Sequence, residues 1–402
     1  MLRALRACGH KHACLLGRIT EMTLTEVHVW PIHPYMAVSL PAKRSGIRID
    51  YIDGLRALAV LSVVVFHATV GGAAGGWMRL VFLQGCHGVD LFFVLSGFCL
   101  AYPTLQRANQ GQTSFDWMQY AARRLVRIVP PYYIAIALLT GVFLLFRYVP
   151  GAMHGVTGLQ IFRQALFIDS GTRFLNPSFW TLPIEFRWYF LFPVALWLWT
   201  QSPRAFLASM LCVGLLVASV KQAGDLIVLP GFLLGIIAAD LRVRRPEVAW
   251  LALPACVAMF AVCLLFFPNR SGHGEVGPAW EIASFFLVIA AGAIPTLERA
   301  LSFKVLVAVG IASYGIYLVH QPVVDFMENI GAQPLLAGVA GIGAGFLFWW
   351  LAERPFVQGR ARTAILRFLD LRAFQFAAFC HLRSKFAVGL IRKRETATDL
   401  AA

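Results

Sequence analysis

The run "LRALAVLSVVVFHA", Leu55 to Ala68, decides what kind of protein this chain makes. Together with the residues just before it, the stretch is long enough for a helix to cross a hydrocarbon core, yet it opens on Arg56 and closes near His67. Comparable apolar stretches recur along the 402 residues at roughly 52–70, 86–103, 129–147, 181–199, 205–220, 225–241, 248–267, 280–297, 305–324 and 333–352. The composition agrees. The chain is 59% hydrophobic with a mean hydropathy of +0.69, and 14% of its residues are charged, against about a quarter in soluble domains. Continuous apolarity excludes a membrane barrel, whose strands alternate, and leaves helices, which satisfy their own backbone in lipid. The reading is an all-α polytopic integral membrane protein, about ten transmembrane helices in one bundle.

Orientation follows from the basic residues between spans. With the N-terminus inside, the inner loops hold ten Lys/Arg, among them Arg107, Arg123, Arg124, Arg127, Arg242 and Lys304, against six in the longer outer loops. Both termini are then cytoplasmic, with seven Lys/Arg before residue 50 and ten after 352. The net charge of +15 reads as a topology signal and a means of holding anionic membrane lipids. It does not read as a nucleic-acid site, because no aromatic-interleaved basic domain is present. Residues 1–47 form an N-terminal tail without a signal-peptide pattern, and Met36 is an alternative start. Residues 48–357 form the membrane domain. Residues 358–402 mix bulky apolar side chains with arginines and suit a helix lying on the inner leaflet. The eight cysteines show no Cys-x-x-Cys and read as small hydrophobes.

Ionisable groups inside a span are expensive and mark candidate sites. Eleven helical residues make about three turns and rise about 16 Å, so Arg56 and His67 share one face. Arg56 either snorkels to headgroups beside Asp53 or faces the bundle; His67 is either a packing residue or a chemical one. In "SYGIYLVHQP", Ser313, Tyr317 and His320 form one stripe. "HGVDLFFVLSGF" brings Asp90, and "NPSFWTLPIEFRWYFLFP" brings Glu185, to a similar depth near the outer side. "RRLVRIVPP" places Arg123, Arg124 and Arg127 at the inner side, with Arg124 and Arg127 on one helical face. Acid–base groups thus gather outside and phosphate-binding groups inside.

These stretches, with "YIDGLRALAVLSVVVFH" and the closing "WWLAERPF", resemble the membrane acyltransferase-3 family, bacterial O-acyltransferases that decorate lipopolysaccharide, exopolysaccharides, Nod factors and some small molecules. They occur in the family's order over about residues 48–357. The family's arginine–ten residues–histidine is matched by Arg56 and His67, and its Arg-x-x-Arg by Arg124 and Arg127. Its Trp-Ser-Leu-x-x-Glu is matched, with threonine for serine, by Trp180, Thr181, Leu182 and Glu185.

The resemblance implies a cytoplasmic acyl-CoA donor, usually acetyl-CoA, and a hydroxyl acceptor on a carbohydrate or lipid-linked glycan, at the inner membrane of a cell. On the residues, Arg124 and Arg127, with Arg123 and Arg56, are placed to bind the donor, since arginine forks suit phosphate. His67 is expected to act as general base on the acceptor hydroxyl, with acyl-histidine formation as the less favoured variant. Glu185 or Asp90 is expected to orient the imidazole or hold the sugar, and Tyr317 and His320 to donate to the developing oxyanion. Trp180 and Tyr317 are the expected substrate contacts, and no metal is expected. The family often adds an extracytoplasmic hydrolase-like domain. Its absence from this sequence leaves open a separate partner that completes transfer. Competing readings are a transporter or flippase moving a glycan or small molecule without acyl chemistry, a metal or haem protein using His67 and His320, and a non-catalytic scaffold or sensor.

Overall fold

The computed structural model describes residues 49–70, 76–111, 115–146, 157–168, 175–219, 226, 228–267 and 276–377. The N-terminal tail with Met36, the C-terminal tail beyond 377, and residues 147–156 and 169–174 lie outside the described residues. Among the described residues regular structure is helical throughout. In chain order come α1 (Asp50–Val70), α2 (Gly76–Leu83), α3 (Gly88–Asn109), α4 (Trp117–Phe146), α5 (Gly158–Ala165), α6 (Thr181–Gln201), α7 (Pro203–Ser219) and α8 (Leu229–Arg244). There follow α9 (Ala252–Phe266), α10 (Gly277–Ala293), α11 (Pro295–Leu301), α12 (Lys304–Ile311), α13 (Ser313–Asn329), α14 (Pro334–Phe348), α15 (Arg354–Val357) and α16 (Arg360–Ala377).

Where they are described, the ten apolar segments fall largely on helix, but they are not ten straight spans. Among the described residues, four helices are long and apolar enough to cross a membrane: Asp50–Val70, Leu80–Asn109, Trp117–Leu145 and Pro334–Leu369. Two further candidates are bent pairs, α10 with α11 turned through 101° and α12 with α13 through 73°, so the candidate spans number four to six. The difference has physical causes. Ile294 is extended, as a residue before proline tends to be, and Pro295 starts the next helix. The apolar stretches Pro203–Leu215 and Ala252–Phe266 fall short of the ~20 residues a hydrocarbon core asks for. α6 has the length but carries Glu185 and Arg187.

Large apolar side chains on the outer faces, such as Leu145 at 79% and Leu335 at 80% exposure, would be an aggregation hazard in water and suit lipid. Inside, α1 is the central element, packed against α3, α12, α13 and α14. The most extensive helix pair is α3 with α8, and glycine makes it possible. A methyl group at Gly97 would sit 2.0 Å from the Phe232 carbonyl oxygen, and one at Gly235 2.2 Å from that of Val94. The backbones touch there, as small residues permit between membrane helices.

Candidate active site

α1, α3, α4, α6 and α13 enclose a cavity of about 780 Å³, measured out to its mouth. Helical periodicity aims the lining. α3 supplies Val89, Phe92, Phe93, Ser96, Cys99 and Leu100, which repeat at three, four and seven residues along one face. α4 supplies Arg124, Arg127 and Ile128; α6 supplies Thr181, Leu182, Glu185 and Tyr189; α13 supplies Ser313, Tyr314 and Tyr317; α1 supplies Arg56. Eight of the residues singled out in the sequence therefore meet in one place: Arg56, Arg124, Arg127, Thr181, Leu182, Glu185, Ser313 and Tyr317.

Their partners give the cavity its polarity. Arg56 donates from Nη1 to Asp53 Oδ1 over 3.1 Å and from Nη2 to Cys99 Sγ over 3.3 Å. It faces the bundle rather than snorkelling, and Asp53 holds it there. Arg124 lies over the rings of Tyr120 and Tyr189, 5.8 and 5.9 Å from their centroids. Arg127 has no hydrogen-bonding partner among the described residues. Opposite the arginines, Glu185 Oε1 accepts from Ser96 Oγ over 3.0 Å and from the Tyr189 hydroxyl. The hydroxyls of Thr181 and Tyr317 are 2.9 Å apart.

α13 is fixed from two sides. Pro322 has no N–H, which leaves the carbonyl of Leu318, four residues earlier, without its helical donor. The Asn176 amide supplies one over 3.0 Å, while Ser178 Oγ donates to Gln321 Oε1 over 2.5 Å. This is what "NPSFWT" does locally: it staples the entry of α6 to α13. At the other end, the π-helical turn Trp349–Glu353 brings in Glu353, 1% exposed. Its Oε2 accepts from the Gly315 N–H over 2.9 Å, an amide in the first turn of α13 with no helical partner. A methyl group at Gly315 would lie 2.9 Å from Trp349 Cβ, so glycine is what admits α14 to this contact. Glu353 is also within electrostatic range of Arg127 and Arg56.

The histidines stand beside the cavity, not in its wall. The rings of His67 and His320 are 5.2 Å apart, and His320 is 5.8 Å from Tyr317, which does line the cavity. His320 is fully buried. Its Nδ1 lies 3.1 and 3.0 Å from the carbonyls of Ile316 and Tyr317. Carbonyls only accept, so Nδ1 carries the hydrogen, and Nε2, buried and without a hydrogen-bonding partner, keeps a lone pair. His67 is half-buried beside it.

Three other expected site residues stand apart. Asp90, fully buried, accepts from His87 Nδ1 over 2.5 Å, and His87 stacks on Trp280 at 4.6 Å. The residue that neighbours His67 is thus His320, and not Asp90 or Glu185. Arg123 is exposed and donates from Nε to the Gln119 carbonyl over 3.2 Å. Trp180 is half-buried in the single turn before α6 and does not line the cavity. Conversely, Ser96, Cys99, Tyr189 and Glu353 were not singled out from the sequence. The first three share helical faces with Phe92 and Glu185 and could have been found by extending those stripes. Glu353 had only its place in "WWLAERPF" as a signal. Among the described residues no three His, Cys, Asp or Glu side chains gather as a metal-ligand set.

The acyltransferase domain family matches residues 49–354 of the chain. The chain is 27% identical over 327 residues to the peptidoglycan O-acetyltransferase OatA of Listeria monocytogenes, an alignment covering 69% of this chain and 50% of that protein. Against the O-acetyltransferase OatA of Staphylococcus aureus the identity is 23% over 320 residues, 70% of this chain and 51% of the relative. Against the putative peptidoglycan O-acetyltransferase YrhL of Bacillus subtilis it is 30% over 188 residues, 43% and 28%. The chain spans about half the length of the first two relatives. No solved structure matches the chain.

Proposed function

The chain belongs to the acyltransferase domain family, and on that footing we propose that it moves an acyl group, acetyl by preference, from acyl-CoA to a hydroxyl of a cell-envelope glycan. Peptidoglycan, named for two of the relatives, is the first acceptor to test. The observation that carries the reading is the convergence of Arg56, Arg124 and Arg127 with Glu185 and Tyr317 in one cavity whose Tyr317 wall adjoins the His67–His320 pair.

The chemistry follows that layout. Arg124 and Arg127 hold the donor's phosphates, and Arg56 extends the positive lining inward. The acyl thioester is directed toward Tyr317. The acceptor hydroxyl comes from the His67 side, and His67 takes its proton as the hydroxyl attacks the thioester carbon. His320, its Nδ1–H donated to backbone, packs its ring 5.2 Å from that of His67 and so limits where the accepting imidazole can sit. Tyr317 donates toward the carbonyl oxygen as charge builds there. The proton passes to the departing CoA thiolate, so substrates and products balance without a redox partner.

In this reading the four long helices, the two bent pairs, α6, α8 and the shorter α7 and α9 make up about ten crossings of the cell inner membrane. The arginine mouth and both termini face the cytoplasm, and membrane lipids surround the bundle. The bends of 73° and 101° also favour a second reading, a transporter built on broken helices. One experiment separates the two. Acetyl esters on the envelope glycan are quantified by mass spectrometry in cells with the protein, without it, and with His67→Ala. The acyltransferase reading expects the esters to vanish in both altered strains. Unchanged esters in the strain lacking the protein would overturn it.

A further inference from the structure

A second, smaller pocket opens beside the first and shares Arg124, Ile128 and Tyr189 with it. Its remaining walls are aromatic and aliphatic. Trp117 and Tyr120 come from one face of α4, and Phe186 and Phe190 from the facing side of α6. Several of these rings are already fixed. Tyr120 donates its hydroxyl to the Tyr189 carbonyl over 3.0 Å, Phe186 stacks on Phe167 at 4.2 Å, and Trp117 meets Phe115 edge-on at 5.8 Å. Rings held in this way lose little conformational entropy when they receive a ligand.

Neither cavity explains the other alone. The small one is wholly apolar in its remaining walls, yet its junction with the large one is the guanidinium of Arg124, with Arg127 one turn further along α4 and itself without a hydrogen-bonding partner. A ligand fitting both has a flat apolar body joined to an anionic linker that runs on into the large cavity. A hydrocarbon chain would fill the small cavity but leave Arg124 and Arg127 unanswered; an inorganic anion would do the reverse. A purine nucleotide meets both demands, since aromatic faces stack bases irrespective of hydrogen bonding and arginine forks bind phosphate.

We propose that this aromatic cavity is the base subsite of the donor, where the adenine ring of a nucleotide-linked thioester stacks against Trp117 and Tyr120 while its phosphates lie on Arg124 and Arg127. The inference rests on the acyl-CoA reading and specifies which part of the donor sits where. Trp117, 37% exposed and the first residue of α4, is the residue to alter, because it lies outside the buried core.

The test uses the full chain in lipid nanodiscs, with adenosine 3′,5′-bisphosphate as probe. The bisphosphate should compete with acetyl-CoA in a CoA-release assay. Trp117→Ala should weaken it roughly fivefold or more, as losses at other base-stacking aromatics do, and Trp117→Phe should restore most of the binding. Turnover of S-acetylpantetheine, which lacks the nucleotide, should be the same in wild type and Trp117→Ala. Acetyl-CoA turnover that ignores both the bisphosphate and Trp117→Ala overturns the base subsite while leaving the acyltransferase reading in place. Should no acetyl-CoA turn over at all, that reading fails. Equilibrium dialysis of the bisphosphate then still decides the subsite: saturable binding weakened by Trp117→Ala supports it, and no binding, or binding indifferent to Trp117, overturns it.

Discussion

Among single residues, the His67–His320 pair matters most, its rings 5.2 Å apart beside the cavity. His320 has its Nδ1 hydrogen committed to the carbonyls of Ile316 and Tyr317. Replacing His67 with alanine should lower kcat by roughly 10²–10⁴-fold, the usual worth of a general base, with insertion and thermal stability retained. His320→Gln should lower kcat less and leave the KM for acetyl-CoA unchanged, read from initial rates of CoA release. Much of this site was legible in the sequence, because helical spacing alone relates Arg56 to His67, Arg124 to Arg127 and Ser313 to Tyr317. The pairing of Asp90 with His87 and of His67 with His320 was legible only in part. His87 and Asp90 are three residues apart on one chain segment, which spacing can suggest. Which helix faces His67 depends on the packing of α1 against α13, and no local pattern encodes that.

At the scale of elements, close crossings and helix breaks position the site. α3 carries one whole wall of the cavity, and its contact with α8 depends on Gly97 and Gly235 lacking side chains. Gly97→Val should therefore destabilise the protein by about 1–3 kcal/mol, the range for overpacked cores, seen as an earlier thermal transition in detergent. The exposed Leu138 of α4, at 52%, should tolerate Leu138→Val with little change. Glu353 gives a sharper contrast. Glu353→Ala leaves the buried Gly315 amide without its acceptor, at a cost of about 1–3 kcal/mol, and should lower both stability and kcat as α13 loosens. Glu353→Gln keeps an acceptor oxygen and should stay near wild-type stability. With the negative charge gone from the surroundings of Arg127 and Arg56, it should also lower the KM for acetyl-CoA. Equal loss of stability in the two variants would refute the capping role. These breaks were hidden from hydropathy, which averages over a window. Apolar side chains continue through Ile294 and Ala312 while the backbone turns. Pro295 was a visible signal for the first bend; the second has no proline and no charge to mark it.

At the scale of the whole molecule, helical class and membrane residence followed from composition, because a chain this apolar has few ways to satisfy its backbone outside helices in lipid. The arrangement of ten apolar segments as straight crossings did not follow. α7 and α9 are short, α6 gives positions to Glu185 and Arg187, and two pairs are bent. The bend before α13 is the one that bears on the cavity, since Ser313, Tyr314 and Tyr317 just beyond it line the wall. The central claim is that the arginine-lined cavity receives an acyl-CoA and that the adjoining histidine pair discharges it. The most direct measurement is acetyl transfer by the purified protein in liposomes, supplied with labelled acetyl-CoA and a soluble peptidoglycan fragment, comparing wild type with Arg124→Ala, Arg127→Ala and His67→Ala. The account predicts labelled O-acetyl glycan from wild type, a KM for acetyl-CoA raised roughly tenfold or more in each arginine variant, the scale of a lost hydrogen bond to a charged group, and a collapse of kcat alone in His67→Ala. Labelled glycan formed at the wild-type rate and KM by all three variants would contradict it.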